Sequence, residues 1–139
     1  MVKLEKDDTV CGQWFPAGTI INLTNDGKSI KYCNLPRDVV IQGHNCIGKI
    51  GSIRWRTAFY PSGKLKSIGL VNTEVIDGVP CAAGNFWNEV FSSGGRTDFY
   101  EKGRLKYAKV AKTIEFRGHI IKQGQHVRLK EDGSLDSIN

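Results

Sequence analysis

An all-β fold made of four β-hairpin repeats is predicted by three observations. One pattern recurs four times between Leu4 and Gly133. Around Gly12, Gly43, Gly78 and Gly118 the residues eight positions earlier are Leu4, Leu35, Leu70 and Val110, and those two positions earlier are Val10, Ile41, Ile76 and Phe116. A second set of glycines, Gly27, Gly63, Gly103 and Gly133, is followed two or three residues later by Ile30, Leu65, Leu105 and Leu135. Finally, no stretch keeps apolar residues at three-four spacing for the length of a stable helix. Self-similarity at a period of a few tens of residues marks a repeat architecture, in which no unit buries its apolar face alone.

The units run over residues 4–34, 35–69, 70–109 and 110–138, within one domain spanning 1–139. In the first, Ile21 and Leu23 alternate with other residues, Asn25-Asp26-Gly27 supplies a turn, and Ile30 and Tyr32 begin a second alternating stretch. An Asp-Gly pair between alternating runs is a strong hairpin signal, because glycine accepts the positive φ of a tight turn. Glu131-Asp132-Gly133 repeats it, and Pro61-Ser62-Gly63 and Glu101-Lys102-Gly103 are variants. After each hairpin comes a short extended segment, such as Val39-Val40-Ile41 or Val75-Ile76, ending at a glycine that turns the chain. About three short strands per unit are therefore predicted. Leu35, Leu70, Ile41, Ile76, Phe116, Leu65 and Leu105 are expected to share one continuous core. Val2 and Ile138 fall at equivalent repeat positions, as they would if the first segment completed the last repeat in a closed barrel or ring. An open, solenoid-like stack of hairpins is the alternative.

A chain of 139 residues buries roughly 70% of the surface of its unfolded form and needs no metal or disulfide for stability. The 20 Lys and Arg against 14 Asp and Glu give a net charge of +6, which favours anionic partners; against this, the charges are scattered among acids, as on an ordinary soluble surface. No apolar run approaches the roughly 20 residues that span a bilayer, and the first eight residues lack an apolar core, so a cytoplasmic protein is expected. Cys33 occupies the slot of Val2, Ile68 and Ala108, and Cys46 and Cys81 that of Phe15 and Ile121. These three thiols read as small core hydrophobes in a reducing compartment. Cys11 shares its slot with Gln42, Asp77 and Arg117, and is the thiol expected at the surface.

The stretches Phe59-Tyr60-Pro61-Ser62-Gly63-Lys64-Leu65-Lys66 and Phe99-Tyr100-Glu101-Lys102-Gly103-Arg104-Leu105-Lys106 resemble the core of bacterial MORN-type repeats, in which an aromatic pair, a turn glycine and a basic-Leu-Lys step build a hairpin. The first and last copies depart from it, with Leu23 and Leu129 at the aromatic position. The resemblance implies an interaction or scaffold module with protein or lipid partners and no catalytic residues.

The copies differ in one place. From Gly18 to Gly27 and from Gly124 to Gly133 the gap is nine residues, whereas Gly48 to Gly63 is fifteen and Gly84 to Gly103 nineteen. Both excesses are even, so they fit strand extensions that keep the downstream register. Insertions in repeat proteins gather on one face, often the binding face. These two carry Arg54, Trp55 and Arg56, and Phe86, Trp87, Phe91 and Arg96. Trp and Arg dominate interface hot spots, and aromatics beside Arg also stack on unpaired bases. The competing reading is structural: Ile53, Trp55 and Phe59 form an inward face while Arg54 and Arg56 are merely solvated.

No nucleophile with an evident base, nucleotide-binding glycine loop or zinc-ligand spacing is legible, and neither cofactor nor metal is expected. Asp7 and Asp38, with Thr73 and Thr113 in the same slot, read as turn residues bonding the backbone. The leading expectation is a non-catalytic module that binds another protein, or a second copy of itself, through a basic aromatic surface at the insertions. Nucleic-acid binding by the same surface is the runner-up, and a closed barrel holding a small ligand, with or without enzymatic activity, the third reading.

Overall fold

A computed structural model describes residues 1–84 and 95–139. Among them the ordered elements are strands, and no helix is present to cross a membrane. Nine strands form one antiparallel sheet in the order β1 (Val2–Lys3), β4 (Ile20–Leu23), β5 (Ile30–Asn34), β10 (Arg56–Phe59), β11 (Leu65–Gly69), β14 (Arg96–Phe99), β15 (Leu105–Lys109), β18 (His126–Leu129) and β19 (Leu135–Ile138). The remaining strands pair off as small hairpins: β2 (Asp8–Val10) with β3 (Gln13–Phe15), β6 (Val39–Ile41) with β7 (His44–Cys46), β8 (Lys49–Ile50) with β9 (Ile53–Arg54), β12 (Glu74–Ile76) with β13 (Val79–Cys81), and β16 (Ile114–Phe116) with β17 (His119–Ile121).

The sheet hairpins turn at the predicted glycines. In β10–β11 the Gly63 amide donates to the Tyr60 carbonyl at 2.9 Å and the Tyr60 amide to the Lys64 carbonyl at 2.8 Å. Gly103 with Tyr100, Gly133 with Lys130 and Gly27 with Thr24 repeat the first bond. All four glycines have positive φ, the left-handed residue that closes such a turn into a bulge. Phe59 pairs with Leu65 but Ala58 with Ser67, so Lys66 is the extra residue of a β-bulge. Lys31, Lys106 and Asp136 fall in the same bulge position.

The other hairpins turn differently. Cys11-Gly12, Gln42-Gly43, Asp77-Gly78 and Arg117-Gly118 are two-residue loops with φ near +50° and then above +80°, as a type I′ turn requires at both central residues. The strands that follow them, β3, β7, β13 and β17, exceed the three per unit expected. They are three residues long and of mixed polarity, with Pro80 in β13, and so carry little alternation to read.

Core side chains come from one face of the sheet and from the small hairpins packed on it. Ile21, Cys33, Ile68, Leu105, Ala108 and Val127 of the sheet share one buried cluster with Phe15, Ile41, Cys46, Val79, Cys81 and Ile121 of the hairpins. Leu35, Leu65, Leu70 and Phe116 belong to it as expected, while Ile76 is only partly buried against its edge. The sheet is not the closed barrel that is one of the two expectations. The end strands β1 and β19 each pair on one side only, with β4 and β18, and not with each other. Val2 accordingly stays 50% exposed, where Cys33, Ile68 and Ala108 are buried.

Candidate functional site

Side chains alternate across a strand, so the residues between the core positions share the sheet's outer face. Tyr32, Ala58, Ser67, Asp98, Tyr107 and Arg128 lie along one rung of that face, from β5 to β18. A second rung carries Asn34 beside Arg56 and Gly69 beside Arg96, with Arg56 and Arg96 on the two strands flanking Gly69. Trp55 packs over that glycine. A Cβ at residue 69 would stand 2.4 Å from the indole Cε2, and one at Gly84 would stand 3.0 Å from Cη2. The indole thus rests on two glycine backbones. The Trp55 amide donates to the Gly48 carbonyl at 3.0 Å, and Asn34 Nδ2 donates to the Trp55 carbonyl at 3.2 Å.

Five cations of this face lie against tyrosines. The Arg56 guanidinium is 3.8 Å from the Tyr32 ring centroid, and those of Arg96 and Arg128 are 5.1 and 5.3 Å from that of Tyr107. Lys66 Nζ lies 5.6 Å from the Tyr60 centroid and Lys106 Nζ 5.5 Å from that of Tyr100. The phenols reach across to the next hairpin: Tyr60 donates to the Phe99 carbonyl at 2.6 Å and Tyr100 to the Leu129 carbonyl at 2.9 Å. Burial, with the nearby Asp98 charge, raises the Tyr60 pKa. Arg96 Nε also pairs with Asp98 Oδ2 at 3.0 Å. A shallow groove of about 200 Å³ runs between Tyr60, Lys66, Ser67, Arg96, Asp98 and Lys106.

Three expected site residues, Trp55, Arg56 and Arg96, are therefore brought together. Arg54 stands apart in the β8–β9 hairpin, directly opposite Lys49. Phe86, Trp87 and Phe91 lie outside the described residues. The insertion after Gly48 does not simply lengthen a strand but folds into that hairpin, which turns near Gly51 at φ +60°. Ile53, expected inward under the structural reading, is 67% exposed because the hairpin lifts it off the sheet. Tyr32, Tyr107, Lys66, Lys106 and Arg128 were not anticipated as site residues. Their signal was available: they alternate with core positions in strands whose pairing follows from the turns.

A second concavity, of about 560 Å³, lies at the turn side, lined by Cys11, Gln13, Gln42, His44, Lys64 and Lys102 among others. Several of its polar groups serve the fold. Gln42 Nε2 donates to the Gly63 carbonyl at 2.8 Å, and Gln42 Oε1 accepts from the Leu65 amide at 3.1 Å. Asp77 binds the Leu105 amide in the same way at 2.8 Å. The His44 ring packs on Phe99 at 4.9 Å with Nδ1 3.4 Å from Glu74 Oε1. Asp7, Asp38 and Thr113 hold the amides of Ala17, Gly48 and Gln123, the turn role expected of that slot.

The four thiols are unpaired; Cys11 is exposed and the other three are buried. Burial pushes Cys33, Cys46 and Cys81 up to about 12, which keeps them protonated and unreactive. Among the described residues no three His, Cys, Asp or Glu side chains converge as metal ligands would. Comparison with protein-family models, curated proteins and solved structures finds no match to this chain.

Proposed function

We propose that this chain is a non-catalytic binding module of four β-hairpin repeats, and that it holds an anionic partner on the outer face of its sheet. One observation carries the reading: Arg56, Lys66, Arg96, Lys106 and Arg128 share that face with the carboxylate of Asp98, and each lies on a tyrosine ring. Each of these five cations lies within the roughly 6 Å of a ring centroid over which cation–π attraction acts. Rings that hold the cations reduce the entropy lost when a partner fixes them.

The β8–β9 hairpin supports the same reading. Lys49 and Arg54 face each other across it, a like-charge pair that destabilises a strand pair and that an anion would relieve. The first and last copies lack an insertion, so folding does not require one; the arginines and Trp87 of the inserted segments are assigned to binding, whereas Trp55 packs on Gly69 and Gly84. The resemblance to MORN-type hairpins supports an interaction module as well.

Elution from an immobilised polyanion such as heparin tests this. The variant Arg56→Ser with Arg96→Ser should elute at clearly lower salt than the wild type. Lys112→Ser with Lys122→Ser, which removes the same charge outside the sheet, should elute close to the wild type. Equal shifts for both pairs would show net charge alone at work.

A further inference from the structure

We infer that the anionic partner is a single-stranded nucleic acid, laid across the strands of the outer sheet face; this rests on the binding face proposed above and names its ligand. The first ground is shape. Adjacent strands lie about 4.8 Å apart, so the five steps from β5 to β18 make a path roughly 24 Å long, within reach of a short single strand. Lys31, Lys66 and Lys106 occupy the bulge positions of β5, β11 and β15, every second strand, and Arg56 and Arg96 stand in regular register on the strands between, β10 and β14. Two offset rows of cations result, each with a step of about 10 Å. A flexible chain with regularly placed charges can follow such rows.

The second ground is chemistry. Unpaired bases stack on aromatic rings and on guanidinium planes, and such stacking tolerates any base. The guanidiniums of Arg56, on Tyr32, and of Arg96 and Arg128, on Tyr107, supply such planes, while the Tyr107 ring itself also stacks with His126 at 5.5 Å. Between them the groove at Lys66 and Arg96, about 200 Å³, is smaller than a drug-sized ligand requires yet open to one flat ring.

An acidic protein is the weaker fit. The centre of a protein interface is depleted in charge and ringed by a polar rim, whereas here the charges stand at the centre of the face. A duplex fits worse still, since its major groove admits a helix or a two-stranded ribbon and not a broad sheet.

Fluorescence anisotropy of a labelled twelve-residue oligo(dT) is the test, with a duplex of equal length and octaglutamate as comparison probes. Oligo(dT) should bind most tightly, and log affinity should fall linearly with log salt at a slope of about −2 to −4. Arg56→Ser should reduce the magnitude of that slope by roughly 0.7, one phosphate contact on a single strand. Tyr32→Leu and Arg56→Lys should weaken binding several-fold at an unchanged slope, because they remove a stacking plane and leave the charge. If octaglutamate or the duplex binds as tightly as oligo(dT), with the same loss in Arg56→Ser, the nucleic-acid inference is overturned and the binding face stands. If none of the three binds, both are overturned.

Discussion

The indole of Trp55 packs against the backbone of Gly69, so close that a Cβ on residue 69 would reach within 2.4 Å of ring carbon Cε2. A tryptophan that sequence reasoning offers as either core or contact is in fact a lid on the outer face, seated between Arg56 and Arg96.

Gly69→Ala should therefore cost about 1–3 kcal/mol, the usual cost of overpacking a fitted site, read as a fall in urea midpoint. In a Trp55→Ala background the same substitution should cost much less, and the coupling should exceed about 0.5 kcal/mol. Additive effects would mean that the ring does not rest on this glycine.

Much of the fold was legible because two glycine sets and the leucines around them mark turns and core independently. Gly63 and Leu65, or Gly103 and Leu105, state both the turn and the face that follows it. The type I′ loops were harder to read. Cys11, Gln42, Asp77 and Arg117 share no chemistry and resembled solvent residues, although their fixed place before Gly12, Gly43, Gly78 and Gly118 was the available signal. The site was half legible. Trp55, Arg56 and Arg96 stood out by composition, while Tyr32 and Tyr107 matter through cross-strand neighbours that only the register supplies.

Position 77 separates loop strain from loop bonding. Asp77 has φ +51° while its carboxylate holds the Leu105 amide. Asp77→Asn should be close to neutral, since asparagine tolerates the left-handed region and keeps an acceptor. Asp77→Val should cost about 1–3 kcal/mol in thermal unfolding, because a β-branched side chain is strained there.

The thiols set an alkaline limit. Cys33, Cys46 and Cys81 rise from 9.0 to about 12 in the folded state. Below pH 9 their protons are retained in both states, and their contribution to stability is fully present. Between 9 and about 12 the unfolded chain binds fewer protons than the folded one, so stability should fall as pH rises. Replacing the three with Ala or Val should flatten that decline, and a maleimide should label Cys11 first in the native protein.

Trp87 carries the prediction that rests on sequence alone. Trp87→Ala should weaken partner binding by about 2 kcal/mol or more and leave the melting temperature unchanged. A loss of thermal stability typical of a core mutant would assign this tryptophan to packing.

Amide chemical-shift mapping of the intact chain, titrated with a short polyanion at low salt, tests the binding face most directly. The largest perturbations should cluster on β5, β10, β11, β14 and β15 at Tyr32, Arg56, Lys66, Arg96 and Lys106. Perturbations centred instead on Gln13, Gln42, Lys64 and Lys102, around the turn-side groove, would contradict the assignment of the outer sheet face.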